Sequence, residues 1–173
     1  MKRVGFFLLI LTLLSAAGCT KNEQQKQQGG PQAGQGADSP IAPDFRLQDL
    51  AGGTVRLADL KGKVVLLDFW ATWCPPCRAA IPGIERLHKT YGQKGLVVLG
   101  VSVDEGGWDD VKAVGKQLGI SYRILKGDED VQTKYLIRAI PTVYLVNKEG
   151  RITSLFMGAE DERTIEEEVR KLL

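Results

Sequence analysis

Two cysteines three residues apart, Cys74 and Cys77, stand in the run Trp73-Cys74-Pro75-Pro76-Cys77. Ahead of them lies Val64-Val65-Leu66-Leu67-Asp68-Phe69-Trp70, an apolar run broken by a single acid. Behind them Ile81, Ile84, Leu87 and Tyr91 recur at helical spacing. A dithiol where a buried strand gives way to a helix can carry out reversible dithiol–disulfide exchange. The first sulfur would face the unpaired N–H groups and positive dipole end of the helix, which favour its thiolate. The second would lie one turn in, close enough to close a disulfide. Cys74 is therefore expected to be the attacking thiol and the more exposed sulfur. Cys77 would resolve the mixed disulfide formed on it.

Other uses of the pair fit less well. A static disulfide over this spacing ties together almost no chain and adds little loop-entropy stabilisation. Within residues 41–173 a zinc site would have only Cys74, Cys77 and His88 as nitrogen or sulfur ligands. Pro75 and Pro76 remove N–H donors at the helix start and so alter the thiol's pKa and potential. Dithiol proteins of this spacing range from about −270 to −120 mV, and the dipeptide alone does not place this one.

Asp68 is an acid inside an apolar strand, where burial raises the pKa. A carboxyl of that kind near the dithiol could accept or return the proton of Cys77; the alternative is a solvated or hydrogen-bonded structural acid. Trp70 and Trp73 flank the motif as an apolar platform or as plain core. Trp108 is expected to anchor its helix. His88 lies eleven residues beyond Cys77 and reads as a solvated helix residue, out of reach of Cys74.

The elements that would hold these groups can be read from pattern. Phe45–Asp49 and Thr54–Leu57 alternate around Gly52-Gly53, a hairpin. The strand Val64–Trp70 leads to a helix from Cys74 to Tyr91, with a kink expected at Pro82. Leu96–Val103 is a continuous apolar strand, parallel to the first. A helix over Trp108–Leu118, a strand over Tyr122–Leu125 and a helix over Asp130–Leu136 follow. Thr142–Val146 and Arg151–Met157 form a hairpin through Asn147–Gly150, and a last helix spans Glu162–Leu172. This order describes an α/β sheet covered on both faces.

The chain start carries different information. Lys2 and Arg3, an apolar run Val4–Leu14 and the small residues Ala16-Ala17-Gly18 read as a signal peptide over 1–18. The apolar run is short for a membrane span. A cysteine directly after such a site, Cys19, resembles the lipobox of bacterial lipoproteins, which implies lipidation there. Ala16 departs from it, standing where leucine is commonest. An ordinary secreted protein or an uncleaved anchor are the alternatives. The Gln- and Gly-rich stretch to residue 40 lacks core formers and reads as a flexible tether of about 25 Å, or as a dispensable tail. Residues 41–173 are the size of one domain. The formal charge of +2 falls to 0 without Lys2 and Arg3, so nothing suggests nucleic-acid binding.

The order of elements, the stretch Asp68-Phe69-Trp70-Ala71-Thr72-Trp73-Cys74-Pro75-Pro76-Cys77 and the tripeptide Ile140-Pro141-Thr142 resemble the thioredoxin fold over about residues 41–173. The added N-terminal hairpin and the helix–strand unit at 108–125 are similar to the TlpA/ResA-like branch. That resemblance implies an extracytoplasmic, membrane-tethered thiol–disulfide oxidoreductase of the bacterial cell envelope, several members of which serve cytochrome c maturation. It implies protein dithiol or disulfide substrates, a membrane electron donor, a monomer, and no cofactor or metal beyond the Cys74–Cys77 disulfide. It supports Asp68 as the buried acid and makes Pro141 a cis-proline facing the motif. With Ile140, Trp73, Pro75 and Pro76 it would shape a substrate groove, the Ile140 backbone pairing with substrate. One departure is Ala80, where many of the branch carry a glutamate; the substrate preference tied to that acid is thereby in doubt. A thiol peroxidase of a related fold wants Pro and Thr/Ser where this chain has Leu67 and Ala71. A copper-delivery module wants CxxxC and a distant histidine, which neither this spacing nor His88 matches.

Overall fold

A computed structural model describes residues 39–173 of the chain. The signal segment, Cys19 and the tether as far as residue 38 lie outside the described residues. The chain runs β1 (Arg46–Gln48), β2 (Thr54–Arg56), β3 (Val64–Trp70), α1 (Pro75–Tyr91), β4 (Leu96–Ser102), α2 (Trp108–Gln117), β5 (Arg123–Lys126), α3 (Glu129–Lys134), β6 (Thr142–Val146), β7 (Ile152–Met157) and α4 (Glu162–Leu172). Five strands form one sheet in the order β5-β4-β3-β6-β7. β3 pairs parallel with β4 and antiparallel with β6.

The central position of β3 explains its unbroken apolar run. Its side chains alternate between two covered faces. Val65, Leu67 and Phe69 pack with Val101, Tyr135 and Tyr144 beneath the N-terminal hairpin. Val64 and Leu66 meet Ile84 and Leu87 of α1 and Ile165 and Val169 of α4. Trp70, at the end of the strand, joins Cys74, Cys77, Ile81 and Val111 in a third cluster. Burying each large apolar side chain contributes about 1.5–3 kcal/mol, so this strand anchors both layers.

The hairpin β1–β2 is a separate two-stranded sheet tied to the outer strand β5. Leu50 N–H donates to Ile124 C=O at 3.1 Å, and Arg123 bonds the buried Asp49 at 2.5 Å. Asp49 also accepts from the N–H groups of Ala51 and Gly53, closing the turn that Gly52 makes at φ 86°.

Several boundaries differ from the pattern reading. β2 stops at Arg56 because Leu57 opens a short 3-10 turn. β5 starts at Arg123, since its ladder with β4 begins at Leu99↔Arg123 and Tyr122 turns into the α1-side core. α3 begins at Glu129 because Asp128 caps it, accepting from Val131 N–H at 2.8 Å. It ends at Lys134, where Leu136 adopts φ 51°. Bonds from Leu136 N–H to Thr133 C=O and from Ile137 N–H to Gln132 C=O close a Schellman motif there. α1 runs as one helix from Pro75 to Tyr91 with Pro82 inside it. Ser39 and Pro40, given to the tether by composition, are bonded into the fold: Arg151 donates to Ser39 C=O and Ile152 N–H to Pro40 C=O.

Candidate dithiol site

Cys74 is the N-cap of α1, and Pro75 and Pro76 occupy its first positions. Proline is suited there, because the first N–H groups of a helix have no partner within it. The first free donor is therefore Cys77 N–H, which donates to Cys74 Sγ at 3.2 Å. The two sulfurs are bonded to each other, with Cα atoms 5.3 Å apart. Both residues are buried, Cys74 at 3 % and Cys77 at 1 % exposure. Cys74 is the more exposed of the two, and both are largely covered in this oxidised form. The cause is the surrounding apolar cluster of Trp70, Ala71, Ile81 and Val111, with Trp108 and Ile140 against it.

The Ile140–Pro141 peptide bond is cis. Pro141 is buried, and Ile140 packs into the same cluster as the disulfide. Trp73 stands out from the fold at 67 % exposure, and Pro75 and Pro76 are exposed beside it. The two tryptophans thus divide the readings offered for them. Trp70 is core, and Trp73 is surface next to the disulfide. Trp108 is half-buried against the cluster and takes Lys126 over its ring at 5.8 Å, which fits its reading as a helix anchor.

Asp68 is buried at 3 % exposure, with no hydrogen bond or ion pair among the described residues. Strand alternation places it on the face of Leu66 and Trp70, the side covered by α1. Burial pushes its carboxyl up to about 7. Its partner across the β3–β4 pairing is Gly100. Tyr122 is buried near it: burial first, then the charges of Asp68 and Glu85, push the phenol upward. The Tyr122 hydroxyl and Trp70 Nε1 are buried without a protein partner.

His88 is not the solvated residue expected. Its ring meets Tyr122 edge-on at 6.0 Å and its Nδ1 is buried, because α1 turns this position toward the β4–β5 side. Among the described residues no cluster of three or more His, Cys, Asp or Glu side chains is assembled as for a metal ion, and no helix is long and apolar enough to cross a membrane.

Sequence reading missed Thr72, Ser102 and Asp104. The Asp104 carboxylate accepts from Thr72 N–H at 3.0 and 3.2 Å, from Thr72 Oγ1 at 2.6 Å and from Ser102 Oγ at 2.8 Å. The one available signal was position: Asp104 is the first acid past the carboxyl end of β4, where sites of parallel sheets collect.

The AhpC/TSA family profile matches residues 40–155, well over half of the chain. The chain belongs to the AhpC/TSA family. Within it, likeness runs nearly end to end with the thiol-disulfide oxidoreductase ResA of Bacillus cereus: 32 % identity over 98 % of this chain and 96 % of the relative. The thioredoxin-like protein YneN of Bacillus subtilis is 34 % identical over 83 % of this chain and 82 % of its own. Among solved structures, a thioredoxin-family thiol:disulfide interchange protein from Chlorobium tepidum superposes with a TM-score of 0.72 at 27 % identity, covering 79 % of this chain and 98 % of that one. The thioredoxin domain of a thiol-disulfide oxidoreductase from Bacteroides vulgatus gives 0.68 at 31 % identity, over 76 % and 96 %. These relationships make the chain a ResA-like member of the family, with a thioredoxin-like fold and thiol–disulfide oxidoreductase activity.

Proposed function

We propose that Cys74 and Cys77 are the dithiol through which the chain reduces or exchanges disulfides in protein substrates of the bacterial cell envelope. The observation that carries this is the bond between the two sulfurs at the first turn of α1, with cis-Pro141 and Ile140 against the same cluster. In the reducing direction the Cys74 thiolate attacks a substrate disulfide, forming a mixed disulfide and releasing one substrate thiolate. Cys77 gives its proton to Asp68 and attacks Cys74 Sγ, and the second substrate thiolate leaves. Two electrons pass to the substrate, the protons being taken up by its thiolates from Asp68 and solvent. Re-reduction of the dithiol falls to a membrane electron donor.

Trp73, Pro75 and Pro76, exposed beside the disulfide, together with Ile140 and Pro141, form the substrate groove in this reading. A role in cytochrome c maturation belongs to it through the ResA likeness, with Ala80 marking the departure. Cys19 is the proposed lipid attachment, holding the domain near a bilayer as a monomer. One acyl chain binds only marginally, so stable attachment needs the several chains of a lipoprotein anchor. Fractionation of cells expressing wild type and Cys19→Ser, with the mass of the mature protein, tests the anchor. Soluble wild-type protein without lipid mass would overturn it.

The function itself is tested by insulin-disulfide reduction beside peroxide consumption and Cu(I) binding. Wild type should reduce insulin, and Cys74→Ser and Cys77→Ser should not. Rapid peroxide consumption without insulin reduction would favour the peroxidase reading, against which stand the buried, hydroxyl-free Leu67 and Ala71.

A further inference from the structure

Asp104 is not part of the dithiol motif, yet its carboxylate holds the loop that delivers Cys74. Four donor contacts reach its two oxygens: Thr72 N–H at 3.2 Å to Oδ1 and 3.0 Å to Oδ2, Thr72 Oγ1 to Oδ1 at 2.6 Å, and Ser102 Oγ to Oδ2 at 2.8 Å. A carboxylate offers about four lone-pair sites, and three donors, one of them shared between both oxygens, fix this one in orientation. It is held in turn from behind. Asp104 N–H donates to Ser102 Oγ at 3.3 Å, Val103 N–H to Trp70 C=O at 2.9 Å and Gly127 N–H to Ser102 C=O at 2.8 Å. The last approach needs a glycine, because a Cβ at residue 127 would sit 2.6 Å from Ser102 O. β3, β4 and the end of β5 therefore fix Asp104, and Asp104 fixes Thr72.

Thr72 is two residues ahead of Cys74, in a turn closed by Cys74 N–H donating to Ala71 C=O at 3.2 Å. The exposed Trp73 lies between them and has little packing of its own to set the turn. We propose that Asp104 is a positioning residue for the oxidoreductase reaction: by gripping the N–H and hydroxyl of Thr72, it holds the Cys74 sulfur over the first free N–H of α1. This rests on the reading of Cys74 as the attacking thiol. A sulfur displaced from that donor loses thiolate stabilisation, so its pKa rises toward that of a free cysteine.

The sign of the effect separates positioning from charge. Asp104 is an acid bonded to the residue two ahead of Cys74, so deleting its charge with nothing else changed would lower the thiol pKa. Loosening the turn raises it. The test is the pH dependence of iodoacetamide labelling at Cys74, resolved by peptide mass spectrometry in the reduced full-length chain, with the rate of mixed-disulfide formation alongside. Asp104→Ala should raise the Cys74 pKa and slow attack about tenfold, well inside the penalty that small misplacement of a reacting group brings. Asp104→Asn, which keeps one acceptor oxygen for Thr72, should recover most of the attack rate. Thr72→Val removes the hydroxyl arm while leaving the charge, and should raise the pKa in the same direction even if Asp104→Ala fails to fold. An unchanged or lowered pKa in Asp104→Ala or Thr72→Val would overturn the proposal. If Cys74 of the wild type already labels as a free thiol, the attacking-thiol reading fails instead, whatever the variants do.

Discussion

Asp68 stands directly opposite Gly100 across the parallel β3–β4 pairing. The absence of a side chain at residue 100 is filled by aromatic groups: a Cβ there would lie 2.9 Å from Tyr122 Cε2 and 3.1 Å from Trp70 Nε1. The space at the position opposite the buried acid is therefore filled by the same two aromatics that carry unpartnered polar atoms, while the acid's own strand continues through Trp70 to the cysteine loop. Among the described residues no cation meets an ionised carboxylate in this place. That is why burial alone dominates its titration.

The first expected outcome concerns stability against pH. The folded-state pKa of Asp68, about 7, lies above its ordinary value of 3.8. Below pH 3.8 both states hold the proton and nothing is lost. As pH rises toward 7 the unfolded chain ionises while the folded one does not, so stability falls, and it levels off above pH 7. The full span corresponds to as much as about 4 kcal/mol. Asp68→Asn does not ionise, so it should be more stable than wild type at pH 8 and gain nothing at pH 4. Urea denaturation of both oxidised proteins at the two pH values checks this; equal midpoint differences at both would show that Asp68 titrates normally.

Gly100→Ala should destabilise. The ring of Tyr122 is held by the α1-side core and cannot swing away as the end of a flexible chain would. Forcing a methyl group into a packed interior costs about 1–3 kcal/mol. A lower denaturation midpoint with unchanged m-value is expected, and a neutral substitution would mean that Tyr122 relaxes freely.

Much of this arrangement was legible in the sequence because the signals were local. The run Val64–Trp70 read as a buried strand, and Asp68 within it as a buried acid with a solvated or hydrogen-bonded one as the alternative. The dithiol followed from the spacing of Cys74 and Cys77 ahead of a 3.6-residue pattern. What escaped depends on contacts distant along the chain. Asp104 meets Thr72 across 32 positions, and His88 takes its setting from Tyr122 on the far side of α2. The early end of α3 was hidden because Leu136 occupies a left-handed position usually given to glycine. How far the two cysteines are covered was hidden for a similar reason: the cover comes from other elements, including Ile140 ahead of the cis-proline.

Asp49 links the N-terminal hairpin to β5 and should show the opposite pH behaviour. The Arg123 guanidinium, followed by the turn N–H groups of Gly53 and Ala51, holds its carboxyl below the usual range. Its contribution is thus present above the unfolded pKa of 3.8 and lost as pH falls through the lower folded value. Arg123 is half exposed, so solvent screens the ion pair, and Asp49→Asn should cost about 1–2 kcal/mol at pH 7. The difference from wild type should vanish in strong acid. A constant difference down to pH 2 would assign the loss to shape rather than charge.

Asp68 should also reveal itself in the order of the chemical steps. Mixed-disulfide formation uses Cys74, whose thiolate is favoured by the helix start; its release needs Cys77, which is buried at 1 % exposure and must lose a proton. A carboxylate with a pKa of about 7 on the α1 side of the sheet becomes able to take that proton as pH rises through 7. In wild type the release rate should therefore climb through that range. In Asp68→Asn the climb should move upward, toward the range near about 8.5 or above where a thiol ionises unaided, with release at pH 7 slowed about tenfold or more. Formation at the same pH should change much less. Rapid mixing with a disulfide substrate, followed by acid quench and mass analysis of the mixed species, separates the two rates. Equal slowing of both steps, or an unshifted pH profile of release, would reduce Asp68 to a packing residue.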